Sequence, residues 1–332
     1  MLKILLIITQ KKVIHRTDIQ YISVITTKHI SMHDLKTNFD KFFDFTNKYL
    51  TEINKDGNIK DYRHKPKMSD NKVIALSLCQ ESLGIDSENF FWSKLSSDYK
   101  KDFPDLIHLT RYNIRRKSLA PYIHKLNERL SSELIQGENI FIVDSMPIPV
   151  CKNARESRLK VCKENFETAP DKGYSAVSKQ YFVGYKLHLV TSLDGVFFSM
   201  DLTKASVHDI HYLSDIKHSG MNNATLLGDA GYISSDYQLD LFTQARVDLK
   251  VPNRKNQKDF KPYPFVFRKS RKRIETIFSQ LTDQMMIKRN YAKSFNGLST
   301  RIISKVAAVT ILQMINKNNG RPLNHIKHAL AA

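Results

Sequence analysis

The stretch LLGDAGY, residues 226–232, places a charged residue, Asp229, directly after an apolar run and two residues before a glycine. The apolar run predicts a short buried strand. A buried carboxylate is costly unless a partner neutralises it. A carboxylate at the carboxyl end of a strand, at the rim of a sheet, can instead meet solvent, a metal or a substrate. Asp229 is therefore a candidate ligand, provided that the chain supplies partners for it.

A second apolar run ends in the same way. The stretch FIVD, residues 141–144, ends on Asp144, which precedes Asp229 by 85 positions. Sites in open α/β sheets form beyond the carboxyl ends of neighbouring strands. If these two strands are neighbours, their carboxylates stand side by side and repel each other unless a cation lies between them. The pair predicts a site for a hard divalent cation such as Mg²⁺, which prefers oxygen ligands.

A third acid, Glu275, stands within the basic stretch RKSRKRIETIFSQ, residues 268–280. The spacing of its apolar residues predicts a helix, on which Arg271 and Lys272 precede Glu275 by one turn and Arg268 lies one turn further back. Nine residues from 254 to 273 are Lys or Arg. Such a stripe predicts phosphate binding, with Glu275 as the third ligand of a two-metal site.

Each acid alone has a simpler interpretation. An aspartate after a strand is often a turn residue or a helix N-cap. A glutamate among arginines is often half of a surface ion pair. The three acids together, in a very basic chain, favour the metal site over these alternatives.

Composition supports a polyanionic partner. The chain of 332 residues has 52 Lys plus Arg against 33 Asp plus Glu, a formal net charge of +19. Nucleic acid is the first candidate for such a partner, an anionic membrane surface is the second, and a basic surface with no specific partner is the third. Three cysteines without a C-x-x-C motif argue against a disulfide framework and a zinc knuckle, and they fit the reducing cytoplasm. No apolar stretch approaches the roughly 18 residues of a membrane span, so no membrane partner is expected.

Periodicity divides the chain into four parts. Residues 1–32 form an uncertain leader, and residues 33–136 read as a helical module with helices near 35–49, 70–83, 88–99 and 114–135. Residues 137–318 alternate strands and helices, including a hairpin around Asp194-Gly195, which predicts a mixed α/β sheet flanked by helices. Residues 319–332 form a basic tail. Phe90 is expected in the core of the third helix.

Four motifs carry a resemblance to a known family. VDS (143–145), GYKLHLVTSLDGVFFSMDLTKASVHDI (184–210), LLGDAGY and RKRIETIFSQL (271–281) resemble the catalytic core of bacterial insertion-sequence DDE transposases, whose domain is named after the fourth insertion-sequence family. The helical front, with MSDNKVIALSLCQESLGIDSENFFW (68–92) and RYNIRRKSLAPYI (111–123), is most similar to the insertion sequence 982 family. The resemblance covers roughly residues 33–318.

The resemblance implies a ribonuclease-H-like fold and DNA strand cleavage and transfer with Mg²⁺, for which Mn²⁺ is expected to substitute. It assigns Asp144, Asp229 and Glu275 as the catalytic and metal-binding residues. It also implies double-stranded DNA as the partner, both terminal inverted repeats and target, with a homodimer on DNA and a nucleoid-associated location in the cytoplasm. The motif around His208-Asp209 is expected near the second aspartate or as a helix cap.

The basic residues around Glu275 depart in part from the family pattern. Many relatives carry Tyr-x-x-Arg-x-x-x-Glu-x-x-x-x-x-x-Lys, in which Arg271 and Glu275 fit. Arg268 stands at the tyrosine position and Thr282 at the lysine position. The residues expected to contact DNA here are Arg268, Arg271, Lys272, Lys288 and Arg289.

The helical module supplies a second basic group, in which Arg115 and Arg116 are expected to contact the terminal repeats. Two alternatives to a transposase stay open: a metal-dependent nuclease of the same fold, and an inactive transposase-derived DNA-binding protein.

Overall fold

The computed structural model describes residues 34–175, 178–252, 262 and 264–330, and Leu35–Ala331 falls into one compact unit. The predicted leader, residues 1–32, and the basic run from 254 to 261 lie outside the described residues.

The first part of the described chain, residues 34–138, is helical. Its last two helices, Leu109–Ser118 and Ala120–Leu134, are separated at Leu119. Pro121, which has no N–H to donate, lies in the first turn of the second of these helices, where proline is tolerated. The predicted helix over 114–135 is therefore two helices. The helices of this part are α1 (Leu35–Tyr49), α2 (Asp70–Ser82), α3 (Glu88–Ser97), α4 (Leu109–Ser118) and α5 (Ala120–Leu134).

Helix α3 buries one face only. Phe91, Trp92 and Leu95 lie inside, whereas Phe90 is exposed. The expectation that Phe90 belongs to the core is wrong, because a helix that packs on one side leaves the residue just before its buried stripe facing solvent.

The second part combines a sheet with helices. Its strands are β1 (Ile140–Lys152), β2 (Asp171–Ser175), β3 (Gln180–Ser192), β4 (Phe197–Lys204), β5 (Thr225–Leu227) and β6 (Asp248–Lys250). Its helices are α6 (Tyr212–Ile216), α7 (Ser235–Ala245), α8 (Phe265–Asp283) and α9 (Phe295–Asn318).

The sheet is mixed. The strand order is β2-β3-β1-β5-β6, and β4 pairs with the same β3. β1 is antiparallel to β3 but parallel to β5, and β5 is parallel to β6. This mixed sheet flanked by helices fits the ribonuclease-H-like fold expected from the sequence.

The predicted turn at Asp194-Gly195 joins β3 to β4 and helps to seat α8. Gly195 has φ +84°, in the region that favours glycine. A Cβ built on Gly195 would lie 3.1 Å from side-chain atoms of Arg273 and Ile277, so α8 packs closely on this turn. Helix α8 also lies against β1, and it places Arg271 beside Asp144 in the first half of that strand.

The two faces of the sheet belong to different hydrophobic clusters. Along β1, Phe141 and Val143 join a cluster with α6 and α7, while Ile142 and Met146 join a larger one. This larger cluster also contains buried residues of all five front helices, α8 and α9. The predicted boundary near residue 136 therefore separates two kinds of secondary structure that share one core.

Helix α9 is the centre of the larger cluster. By length and composition it is the one helix among the described residues that could cross a membrane, but 89% of its most apolar window is buried inside the protein. It is therefore the core helix on which the front helices pack.

A buried ion-pair network ties α2 and α4 to α9. Glu81 of α2 is fully buried and accepts hydrogen bonds from Arg301 Nε at 2.8 Å and Arg116 Nη2 at 3.0 Å, and it also pairs with Lys305. Burial alone would raise the pKa of Glu81. The charges of Lys305, Arg301 and Arg116 outweigh this effect and lower the pKa from its ordinary value of 4.5 to about 2. The carboxylate is therefore held ionised inside the core.

Replacing this carboxylate should destabilise the whole unit. We expect Glu81→Gln to lower the free energy of unfolding by about 3–5 kcal/mol, because three cations lose their buried counter-charge. Urea unfolding measures the change, and Glu128→Gln in α5, at an exposed position, is the control. A loss no larger than that of the control would contradict the network's role.

The same network predicts how stability depends on pH. The folded pKa of Glu81 lies below its ordinary value of 4.5, so the stability it adds is complete above about pH 4.5 and is lost as the pH falls towards 2. The difference in unfolding free energy between the wild type and Glu81→Gln should be constant above about pH 5 and should shrink below it. A difference that stays unchanged down to pH 3 would rule out this titration.

Candidate active site

The register of two parallel strands brings Asp144 and Asp229 together. In the β1–β5 pair, Ile140 lies opposite Thr225 and Ile142 opposite Leu227, an offset of 85 positions. Asp144 and Asp229 share this offset, and each follows the last paired residue of its strand by two positions. Since adjacent strands lie about 4.8 Å apart, the two aspartates occupy equivalent neighbouring positions at this edge of the parallel pair.

Strand β1 does not end at Asp144, which corrects the sequence expectation. It continues to Lys152 and stays paired with β3, so only the parallel ladder with β5 stops at this level. The Asp144 side chain is 21% exposed. Asp144 therefore lies just beyond the point where β5 stops pairing with β1, while β1 and β3 remain paired.

The positive charge near Asp144 offsets only part of the cost of ionising its carboxyl group. Burial raises the pKa of Asp144 to about 7, and the charges of Asp229 and Asp209 add to this rise. The backbone N–H of Ser145, which donates to Asp144 Oδ1 at 2.8 Å, and the charge of Arg271 oppose it only in part. A cation at this position would offset the repulsion between the carboxylates.

Asp229 also caps a turn, as its simpler interpretation predicted. Its Oδ1 accepts from the Gly231 N–H at 2.8 Å and begins the 3₁₀ turn Ala230–Tyr232. A Cβ built on Gly231 would lie 2.9 Å from that oxygen, which explains the glycine in LLGDAGY. A carboxylate has two oxygens, so the cap leaves a ligand role compatible with the geometry.

Helix α8 brings Arg271 to the aspartates. The Arg271 Nη2 atom lies 3.9 Å from Asp144 Oδ2, and the buried Nε atom has no hydrogen-bond partner among the described residues. The Arg271 side chain as a whole is 21% exposed, so its guanidinium group can meet an anion such as a phosphate beside the carboxylates.

Glu275 is not assembled with the aspartates in this structure. It follows Arg271 by one turn of α8, a rise of about 6 Å, and its side chain is exposed. The described residues contain no group of three His, Cys, Asp or Glu that could hold a metal ion. Glu275 as a third ligand therefore stays a prediction, and the geometry supports it only through the position of its neighbour Arg271.

The comparison with known families adds an independent observation. A sequence model described as a transposase DDE domain matches residues 135–311, more than half of the 332 residues. The chain belongs to the DDE transposase family. The matched range contains all three predicted acids, so this transposase is an enzyme that acts on DNA. A comparison of the chain with curated protein sequences finds no match.

A third carboxylate lies near the aspartates of the transposase. Asp209 accepts from Lys186 Nζ at 2.8 Å, and Lys186 also donates to the Val207 carbonyl at 2.7 Å. The sequence predicted the His208-Asp209 motif near the second aspartate or at a helix cap. The cap is present, because His208 Nδ1 accepts from the Ile210 N–H at 3.3 Å, and the charge of Asp209 acts on the first aspartate, Asp144.

Two buried residues near the aspartates were not predicted as site residues. His188 lies opposite Ser145 on β3, its Nε2 is 2.8 Å from Thr203 Oγ1, and burial lowers its pKa to about 4. The only sequence signal was a histidine in an apolar strand. Tyr232 of the LLGDAGY stretch is fully buried in the cluster around α6 and α7, so it cannot stack on a base in this structure.

The predicted DNA contacts of the transposase divide into two groups. Arg268, Lys272, Lys288 and Arg289 are exposed, and Arg289 lies 3.9 Å from Asp86. These four can reach a phosphate.

Arg115 and Arg116 of the helical front are internal instead. Arg116 is 2% exposed and pairs with Glu81 and Glu88, while Arg115 pairs with Asp70 and the Met68 carbonyl. They are ion-pair residues of the fold in this structure, because their guanidinium groups pair with acids from α2 and α3. This corrects their assignment as contacts to the terminal repeats.

The two aspartates fit a divalent metal, and transposases of this family typically use one. They offer oxygen ligands at adjacent strand positions, and their negative charge is only partly neutralised.

Removing one charge should therefore stabilise the metal-free transposase. We expect Asp144→Asn to raise the free energy of unfolding by about 1–3 kcal/mol at pH 8 in EDTA, because the repulsion disappears. Mg²⁺ should raise the melting temperature of the wild type and leave that of Asp144→Asn unchanged. Asp248→Asn, at an exposed position of β6, is the control. Equal Mg²⁺ responses in all three proteins would exclude a metal site at Asp144.

Proposed function

We propose that this transposase cuts and joins DNA strands at the ends of an insertion sequence by two-metal phosphoryl transfer. The observation that carries the proposal is the shared register of Asp144 and Asp229, which aligns two carboxylates beside the guanidinium of Arg271. The match to the transposase DDE domain supports the class of reaction.

Asp144, Asp229 and Glu275 would hold the metal ions, Mg²⁺ or in its place Mn²⁺. Bound there, divalent ions supply charge stabilisation for the phosphorane-like transition state and a more acidic nucleophile. For Glu275 to join the aspartates, α8 or its side chain has to move towards β1 from the position seen here.

The chain's own residues position the DNA. Arg271 places its partly exposed guanidinium group against a phosphate oxygen of the scissile group, which orients that group over the aspartates. Arg268 and Lys272, exposed on the same helix, bind the neighbouring phosphates. Lys288 and Arg289 extend the basic surface beyond the end of α8.

The reaction needs no covalent bond between protein and DNA. Water attacks the phosphodiester in the first step and releases a 3′-hydroxyl, and that hydroxyl then attacks the target phosphodiester in the joining step. The acids serve as ligands in both steps, so one site performs both.

The finer assignments belong to the same proposal. The front helices support membership of the insertion sequence 982 family through the motifs in residues 68–92 and 111–123. Double-stranded terminal inverted repeats and target DNA are the proposed substrates, a homodimer on DNA the proposed assembly, and the nucleoid in the cytoplasm the proposed location. The net charge of +19 supports this choice of partner.

A nuclease of the same fold is the second candidate, since the same acids would perform the first step alone. Incubation with pre-cut DNA ends and a supercoiled target separates the two activities, because only a transposase joins the ends to the target. An inactive DNA-binding protein is the third candidate, and the presence of all three acids argues against it.

Substitution of the acids tests the site itself. We expect Asp144→Ala, Asp229→Ala and Glu275→Ala each to reduce cleavage of end-containing DNA by roughly 10³-fold or more, with DNA affinity within about threefold of wild type. The matched controls are Asp248→Ala on β6 and Asp283→Ala on α8. Wild-type cleavage by Asp229→Ala would overturn the site, whereas wild-type cleavage by Glu275→Ala alone would remove Glu275 from it.

A further inference from the structure

The hairpin of β2 and β3 carries two exposed aromatic rings near its tip. Tyr174 and Tyr181 are cross-strand partners, 52% and 57% exposed, with ring centroids 5.1 Å apart. The Nζ atom of Lys172 lies 4.9 Å from the centroid of the Tyr181 ring. A paired set of exposed rings beside a cation is costly to leave in water unless a partner uses it.

A third ring near the base of this hairpin has the same character. Phe166 is 84% exposed, and Lys204 Nζ lies 4.9 Å from its ring centroid. Lys204 of β4 lies opposite Tyr185, which belongs to β3, as Tyr181 does. Exposed aromatic rings accompanied by lysines thus recur along this part of the sheet.

The register of β3 relates the hairpin to the aspartates. Asp144 lies opposite Leu189, and Tyr181 precedes Leu189 on β3 by eight residues, an even number. Side chains alternate between faces, so Tyr181 points to the same face of the sheet as Asp144, about 26 Å further along the strand. That distance corresponds to about eight base-pair steps of a B-form duplex at 3.4 Å per step.

The charge around the hairpin is positive. From Lys152 to Lys186 the chain has eight Lys or Arg and four Asp or Glu. Lys152 lies opposite Phe182, next to Tyr181, and four more exposed cations follow it. These are Arg155, Arg158, Lys160 and Lys163.

We propose that the Tyr174–Tyr181 pair of the β2–β3 hairpin binds single-stranded DNA by stacking on unpaired bases, while Lys172 contacts a backbone phosphate. The inference rests on the proposed function, which brings DNA to the aspartates. Aromatic rings in a basic setting are the features by which proteins hold unpaired nucleotides without regard to sequence, because every base has a face that can stack. Bases in an intact duplex are stacked on each other and offer the rings no such face.

Fluorescence anisotropy in EDTA tests the proposal without cleavage. The probes are fluorescein-labelled oligothymidine and a blunt duplex of the same length. We expect Tyr174→Ala and Tyr181→Ala each to weaken oligothymidine binding about tenfold, with less than twofold effect on the duplex. Tyr174→Phe and Tyr181→Phe, which keep the rings, should bind both probes like the wild type.

The salt dependence separates stacking from charge. The alanine variants of the tyrosines should keep the wild-type slope of log affinity against log salt, whereas Lys172→Ala should reduce that slope by about 0.7 on oligothymidine. Leu239→Ala with Phe242→Ala, exposed apolar residues of α7, is the matched control and should leave both probes unaffected. Melting temperatures should stay unchanged, since all these side chains are exposed.

Three results would overturn the proposal: unchanged oligothymidine binding by the double alanine variant, equal losses on both probes, or a change in gel-filtration mass that assigns the rings to a second copy of this chain. These results are distinct from failure of the proposed function. In that case the wild type would not cleave end-containing DNA, whatever the tyrosine variants bind.

Discussion

The parallel pairing of β1 with β5 is the constraint on which the site depends. Slipping one strand by one residue would turn its side chains to the opposite face and end the alignment of Asp144 with Asp229. The alternating apolar residues of β1 resist such a slip, because Phe141 and Val143 fill one hydrophobic cluster and Ile142 and Met146 the other. Burial of both faces of the sheet therefore fixes the position of two carboxylates that the core itself does not need.

The surroundings of Glu81 and Asp144 shift the pKa values of these two buried acids in opposite directions. Glu81 has three cations around it, which hold its pKa at about 2 despite complete burial. Asp144 has one arginine, whose Nη2 atom lies 3.9 Å away, and two neighbouring aspartates, and burial together with these acids raises its pKa to about 7. In the first arrangement the cations neutralise the carboxylate and stabilise the fold. In the second the single arginine neutralises the carboxylates only in part, as expected of a site that binds a further cation.

Much of this could be predicted from the sequence. The runs FIVD and LLGD, their spacing, the Asp194-Gly195 turn and the main helices follow from local patterns that the structure keeps. The continuation of β1 past Asp144 could not be predicted, because Pro147 and Pro149 suggest that the strand has stopped. They are tolerated because β5 ends at Leu227, so no strand on that side needs their missing N–H groups.

The errors share one cause. A cluster of arginines in a basic chain suggests a nucleic-acid surface, yet Arg115 and Arg116 meet acids that lie 28 to 45 positions away. Because these acids are far from the arginines along the chain, local sequence patterns do not predict the ion pairs. Likewise, the reach between Glu275 and the aspartates depends on how α8 lies on β1, which no local pattern encodes.

The separation of Glu81 from its partners along the chain has a consequence for biosynthesis. Arg301 and Lys305 follow Glu81 by 220 and 224 residues. At about 5–20 residues per second a ribosome needs roughly 10–45 s to make that stretch. During this time the nascent front helices have Arg116 but neither α9 nor its two cations. The hydrophobic core of the front helices can therefore be completed only when translation is almost finished. An mRNA truncated before codon 301 would yield front helices without α9, the helix on which they pack.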